Sequence, residues 1–162
     1  MQFHPQTVQI RTPTPLGPVR LATSPEGLCG LWFEGQRHEP SHQWPNAPDH
    51  PVLQEAARQL DAYLRGQRAG FDLPLDLSGG TPFQQSVWQA LLVVPRGTPT
   101  SYGALARSLN NPPAVRAVGA AVGRNPVSVV VPCHRVLGAD GSLTGYAGGL
   151  ERKAALLALE AA

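Results

Sequence analysis

The 162 residues are 42% hydrophobic and 15% charged, enough for the core of one large domain or two small ones and unlike a disordered chain. Seventeen glycines and 17 prolines, scattered without period, mark a loop-rich globular fold rather than a collagen-like one. The formal charge of +2 hides an asymmetry: residues 1–80 hold six Lys/Arg against eight Asp/Glu, and residues 81–162 hold seven against three.

The five arginines from Arg96 to Arg135 have no acid among them, which fits a polyanion partner or a solvated face that lacks acids. Apolar runs such as Val129-Val130-Val131 fall far short of the roughly 20 residues that span a bilayer. The start Met1-Gln2-Phe3-His4-Pro5 has neither the basic nor the apolar stretch of a signal peptide. Two cysteines, Cys29 and Cys133, allow one disulfide at most. Together these predict a cytoplasmic protein with reduced thiols and no membrane contact.

Val8 to Arg11 and Val19 to Leu21 alternate apolar and polar residues at the strand period. Ser24-Pro25-Glu26-Gly27 is a turn, and Leu28 to Phe33 resumes as a strand to complete a hairpin. Residues 37–48 read as a loop. From Val52 to Leu64 the apolar positions 52, 53, 56, 60, 63 and 64 share one helical face, with Asp49 before it and Gly66 after. Phe71 to Leu75 reads as a short edge strand because Pro74 cannot donate to a ladder. Ser78-Gly79-Gly80 is the best linker, which divides the chain into domains 1–77 and 78–162.

Thr81-Pro82-Phe83-Gln84 is a helix start with a capping box. Phe83, Val87, Leu91 and Leu92 give its buried face, and Pro95-Arg96-Gly97 ends it. Ser101 caps a second helix carrying Tyr102, Leu105, Ala106 and Leu109. Pro112-Pro113 opens a third that runs to Gly123. Followed by an apolar strand from Val127 to Val131, this resembles a helix-turn-helix with a wing. On the third helix Val115, Val118 and Val122 form an apolar stripe. Arg116, Ala120, Gly123 and Arg124 lie on the other side. Gly119 and Gly123 cost helix stability, so they point to a close approach by something bulky or to tight internal packing; packing leaves Arg116 unexplained.

Cys133, placed by this reading at the end of the buried strand, has imidazole and guanidinium neighbours in His134 and Arg135 that equip it as a nucleophile. A buried core cysteine is the alternative. Cys29 has no such company and belongs to the core. His4, His38, His42 and His50 lack metal-ligand spacing.

Pro132-Cys133-His134-Arg135-Val136, preceded by Arg116-Ala117-Val118-Gly119 and Asn125-Pro126, resembles the methylated-DNA–protein-cysteine methyltransferases, or O6-alkylguanine-DNA alkyltransferases. The likeness runs from Thr81-Pro82-Phe83-Gln84 through Ser101-Tyr102 to Gly145-Tyr146-Ala147-Gly148-Gly149-Leu150 and Glu160. It implies an α/β (α+β) chain with a ribonuclease H-like N-terminal domain, a small sheet with a helix, and a C-terminal winged helix-turn-helix. It implies direct-reversal DNA repair: Cys133 takes an alkyl group once and irreversibly from O6-alkylguanine, with O4-alkylthymine a second candidate substrate.

In that reading His134 acts on the thiol through water, Glu160 completes the relay, and Asn125 lies in the hinge before the cysteine. Tyr102 rotates the nucleotide phosphate, Tyr146 lines the base pocket, and Val136 and Gly148 complete the substrate site. Arg116 fills the gap left by the extruded base. Ala117, Gly119, Ala120, Gly123, Arg124 and Tyr102 join it against the minor groove of double-stranded DNA. Pro113 and Ser86 stand where basic residues are common in the family. No cofactor and no metal are implied, and a monomer is expected. The alternatives are a non-catalytic alkyltransferase-like protein that binds lesions, which would lack the motif cysteine, and a cysteine hydrolase, which would need an oxyanion hole.

Overall fold

A computed structural model describes residues 1–162. Three antiparallel strands, β1 (Val8–Thr12), β2 (Val19–Ser24) and β3 (Gly27–Phe33), form a sheet in that order. The alternation read from Val19 to Leu21 does not mark a wet face, because every residue of β2 and β3 is buried. The loop after β3 covers the second face. Arg20 fastens it, with its guanidinium about 5 Å from the ring centroids of Trp32 and Trp44 and donating to the carbonyls of Pro40 and His42. The other face receives helix α1 (Pro51–Leu64) through Leu53, Ala56, Leu60 and Tyr63. His50, rather than Asp49, caps α1, its Nδ1 accepting from the Val52 amide.

The free edge of β3 is covered by one short piece from each half of the chain. Leu75 bridges Leu28, and Val127 bridges Leu31. The expected strand over residues 71–75 reduces to that single bridge, since Pro74 offers only a carbonyl, to the Leu28 amide. The expected strand from Val127 to Val131 is also absent. After the Val127 bridge the chain turns through 128–130, with Val129 at φ 71°, between Pro126 and Pro132, which cannot donate. The Asn125 side chain closes this loop, donating to the Val131 carbonyl at 2.7 Å and accepting from the Val127 amide at 3.0 Å.

In the second half α2 (Pro82–Leu92) starts at the capping box of Thr81 and Gln84. Strand β4 (Thr100–Ser101) leads into α3 (Tyr102–Ser108), capped by Ser101. A 3-10 turn at Pro112–Ala114 opens α4 (Val115–Gly123). The Trp88 indole, fully buried, donates to the Ala121 carbonyl and locks α2 to α4. Val118 and Val122 face the core as expected, whereas Val115 is 39% exposed because it begins the helix, beyond the packed turns. A second 3-10 turn, Cys133–Arg135, precedes β5 (Val136–Leu137), which pairs in parallel with β4. Helix α5 (Leu150–Ala161) closes the fold. One cluster of 24 buried residues runs through both halves. No helix is long and apolar enough to cross a membrane.

A β-carbon on Gly30 would lie 2.0 Å from the Trp32 ring, which Arg20 and Trp44 hold in place. Gly30→Ala is expected to destabilise by about 1–3 kcal/mol through overpacking. A thermal melt checks this; an unchanged melting temperature would show that the stack yields.

Candidate active site

Cys133 lies on a 3-10 turn rather than a strand, so the opposed-face geometry of strand neighbours does not apply to it and His134. The thiol lines a cavity of about 160 Å³. Gly119, Val122 and Gly123 of α4 form one wall, Tyr102 and the segment Gly145-Tyr146-Ala147 another, and Arg37 and His38 the rim. A β-carbon on Gly123 would meet nothing within 4 Å, and one on Gly119 only the Tyr102 ring at 3.7 Å. Internal packing therefore does not require these glycines; they leave the helix surface low beside the cavity. Arg116, Ala117 and Ala120 are exposed on the same helix, and Arg124 is exposed at its C-terminal cap.

Burial pushes the Cys133 thiol up to about 11, although the Asn125 amide and the Lys153 charge pull it back. The resting nucleophile is thus a thiol at neutral pH, and its proton needs an acceptor. Arg135 does not lower it. That guanidinium turns away, its Nε and Nη2 each donating to Glu160 at 2.9 Å and its Nη1 to the Val94 carbonyl at 2.8 Å. Cys29, pushed by burial to about 12, is an inert core thiol.

His134 is fully buried, with Nε2 2.8 Å from Glu160 Oε2. Burial pushes the imidazole down, toward the neutral form, against the pull of Glu160. Burial alone would raise Glu160, but hydrogen bonds from His134 and Arg135 outweigh it and hold the carboxyl at about 2. An ionised carboxylate only accepts, so neutral His134 carries its hydrogen on Nε2 and leaves Nδ1 as an acceptor. Nδ1 has no protein partner.

The Tyr102 hydroxyl donates to the Thr144 carbonyl at 3.3 Å. The Tyr146 hydroxyl is buried near Ser128 without meeting hydrogen-bond geometry. Val136 and Gly148 do not line the cavity. Val136 is buried, its carbonyl accepting from Lys153 Nζ at 2.6 Å, and Gly148 is where a β-carbon would strike the Tyr146 ring at 2.7 Å. Arg37 and His38 join the cavity without any signal in the sequence, and Ala147 joins it next to Tyr146 in the motif that carries the resemblance. Lys153 did have one: with Leu156 and Glu160 it occupies the i, i+3, i+7 stripe of α5 that is buried, where a lysine is out of place. Its ammonium also donates to the carbonyls of Thr144 and Gly145, fixing the wall that carries Tyr146.

Residues 82–162 match the 6-O-methylguanine DNA methyltransferase DNA-binding domain, and residues 10–77 match the ribonuclease-like domain of the same family. The chain belongs to the 6-O-methylguanine DNA methyltransferase family. Methylated-DNA–protein-cysteine methyltransferase of Mycobacterium tuberculosis is 49% identical over 148 residues, 91% of this chain and 88% of that protein. The protein of the same name from Methanosarcina acetivorans is 46% identical over 149 residues, 91% and 94% of the two chains. The crystal structure of M. tuberculosis OGT in complex with DNA superposes with a TM-score of 0.85 at 46% identity, covering 96% of this chain and 92% of that one. This methyltransferase repairs DNA by direct reversal, moving an alkyl group to a protein cysteine.

Two outcomes follow from the site. The Glu160 carboxyl sits below the roughly 4.3 of an unfolded glutamate, so its stabilisation is full above that pH and lost as the pH falls toward 2. The melting-temperature gap between wild type and Glu160→Gln is therefore expected to narrow from about pH 5 to about pH 3; a constant gap would contradict the assignment. Gly123→Ala is expected to stabilise α4 by about 0.5–1 kcal/mol yet weaken duplex binding, as read by melts and gel shifts. Unimpaired binding would show that nothing approaches the helix there.

Proposed function

We propose that Cys133 is the alkyl acceptor and that α4 presents the lesion to it from the minor groove of double-stranded DNA. The observation that carries this reading is a cavity with one cysteine in its lining and the glycine-bearing face of α4 as a wall. A base within the stack cannot reach a buried thiol, so the alkylated guanine is extruded into the cavity between Tyr102 and Tyr146. Arg116 fills the space it leaves, while Ala117, Gly119, Ala120 and Gly123 permit close approach and Arg124 meets the phosphates.

The thiol proton passes through a water to His134 Nδ1, and Glu160 steadies the imidazolium that forms. The sulfur pair forms the new S–C bond as the C–O6 bond breaks, and those electrons remain on the guanine oxygen. Guanine regains a proton as the histidine gives one up, so the net transfer is of alkyl to sulfur and hydrogen to base. Asn125 holds the loop that carries the cysteine, and Lys153 keeps the opposing wall in place. The thioether is a poor leaving group, so each molecule reacts once.

Intact mass measured after incubation with an O6-methylguanine duplex tests this reading. One permanent methyl addition on Cys133 is expected, and none in Cys133→Ser, which still binds DNA. Transfer to Cys29, or recovery of the free thiol with time, would overturn it. Arg116→Ala is expected to slow repair of duplex far more than reaction with the free alkylated base, because extrusion costs a few kcal/mol that a free base does not face. Equal losses on both substrates would give Arg116 another role.

A further inference from the structure

Three donors converge on one oxygen of the relay: Glu160 Oε2 accepts from His134 Nε2, from Arg135 Nη2 and from the hydroxyl of Tyr63. The first two lie on the turn that carries the cysteine. Tyr63 comes from α1, 97 residues from Glu160 in sequence, and is the N-terminal half's one hydrogen-bonding contribution to the relay. Its ring is fully buried against Phe71, with centroids 4.7 Å apart, and the Arg96 guanidinium lies 5.6 Å from its centre. Arg135 Nη2 donates to the same hydroxyl at 3.2 Å, so the tyrosine hydrogen is directed at the carboxylate.

A carboxylate facing a histidine with no other donor concentrates its charge on the imidazole and favours the imidazolium. Protonated at both nitrogens, that ring could accept nothing from a thiol. Donors that occupy Oε2 draw charge from it and leave the ring neutral. The other groups packed about the pair act as follows. Arg135 and Lys153 disfavour a second positive charge on His134, and Glu160 favours it. Cys133 and Tyr146 are uncharged at neutral pH, and Arg96 sits behind the Tyr63 ring.

We propose that Tyr63 is a positioning residue for alkyl transfer: by donating to Glu160 Oε2 it fixes the carboxylate and keeps His134 neutral, with Nδ1 free to take the thiol proton. The proposal rests on Cys133, His134 and Glu160 acting as described above. It gives the ribonuclease-like half a part in setting the relay behind the thiol.

Tyr63→Phe keeps the ring and its packing and removes only the hydroxyl. The rate of Cys133 alkylation by free O6-methylguanine base, followed by intact mass against pH, avoids any effect on DNA binding. The acid limb of the profile is expected to move up by roughly half a unit or more, a fraction of the about one to two units that a lost hydrogen bond to the charged group itself is worth, because Tyr63 acts on His134 through Glu160. The loss of rate should be several-fold greater near pH 6 than near pH 8. The ¹⁵N shifts of His134 should report more imidazolium at neutral pH, while duplex affinity stays unchanged. Superimposable profiles would overturn the proposal, as would an equal loss at every pH accompanied by a matching fall in melting temperature. In the wild type, ¹⁵N shifts placing the hydrogen on Nδ1 would also overturn it, without need of the variant. Absence of alkyl mass on wild-type Cys133 would instead remove the acceptor reading itself, so the two failures are told apart.

Discussion

A carboxylate with 1% of its side chain exposed must be matched by donors on every side, and Glu160 is matched from both halves of the chain. It belongs to α5, its partners His134 and Arg135 to the turn behind the nucleophile, and Tyr63 to α1. Once these four side chains are together, the position of α5 against the cysteine turn is set, and so is the face of α1 that must be inward. Lys153, two turns earlier on α5, then lies where its ammonium can gather three carbonyls around the cavity wall. The hydrophobic core supplies most of the stability, but this charge cluster decides the register in which the pieces meet.

The same burial governs reactivity. Removing Cys133 from water raises its proton affinity, so the resting protein carries a thiol rather than a thiolate. Activation has to come from a base that is itself kept neutral by burial. A nucleophile with a low resting pKa would be fast and indiscriminate, and for a protein consumed by its own reaction each accidental alkylation removes one molecule. The arrangement trades speed with simple reagents for selectivity toward a substrate that seats in the cavity and excludes water.

What the sequence disclosed was local. The capping box of Thr81 and Gln84, the Ser101 cap and the Val118/Val122 stripe depend on residues within a turn or two of one another, and each appears where the pattern places it. The failures are tertiary. Val127 to Val131 has a strand's composition, but prolines at both ends and the Asn125 side chain turn it into a loop. Arg20 looked like a solvent-facing residue of an amphipathic strand and is instead the clamp for a covering loop. The Cys-His pair was legible as chemistry, whereas the direction of Arg135 was not, since its partner lies 25 residues downstream. Tyr63 read as one more apolar position on α1; only its hydroxyl matters to the relay, and helical periodicity is blind to a hydroxyl.

The seam between Leu31 and Val127 links the sheet to the loop ahead of the nucleophile. The Leu31 amide donates to the Pro126 carbonyl at 2.8 Å, and the Ser128 amide returns a bond to the Leu31 carbonyl at 3.1 Å. Any displacement of the cysteine loop by an added alkyl group must stretch this pair before it reaches the rest of β3. The Leu31 amide thereby becomes a hydrogen-exchange reporter of the chemical state of a residue about a hundred positions away.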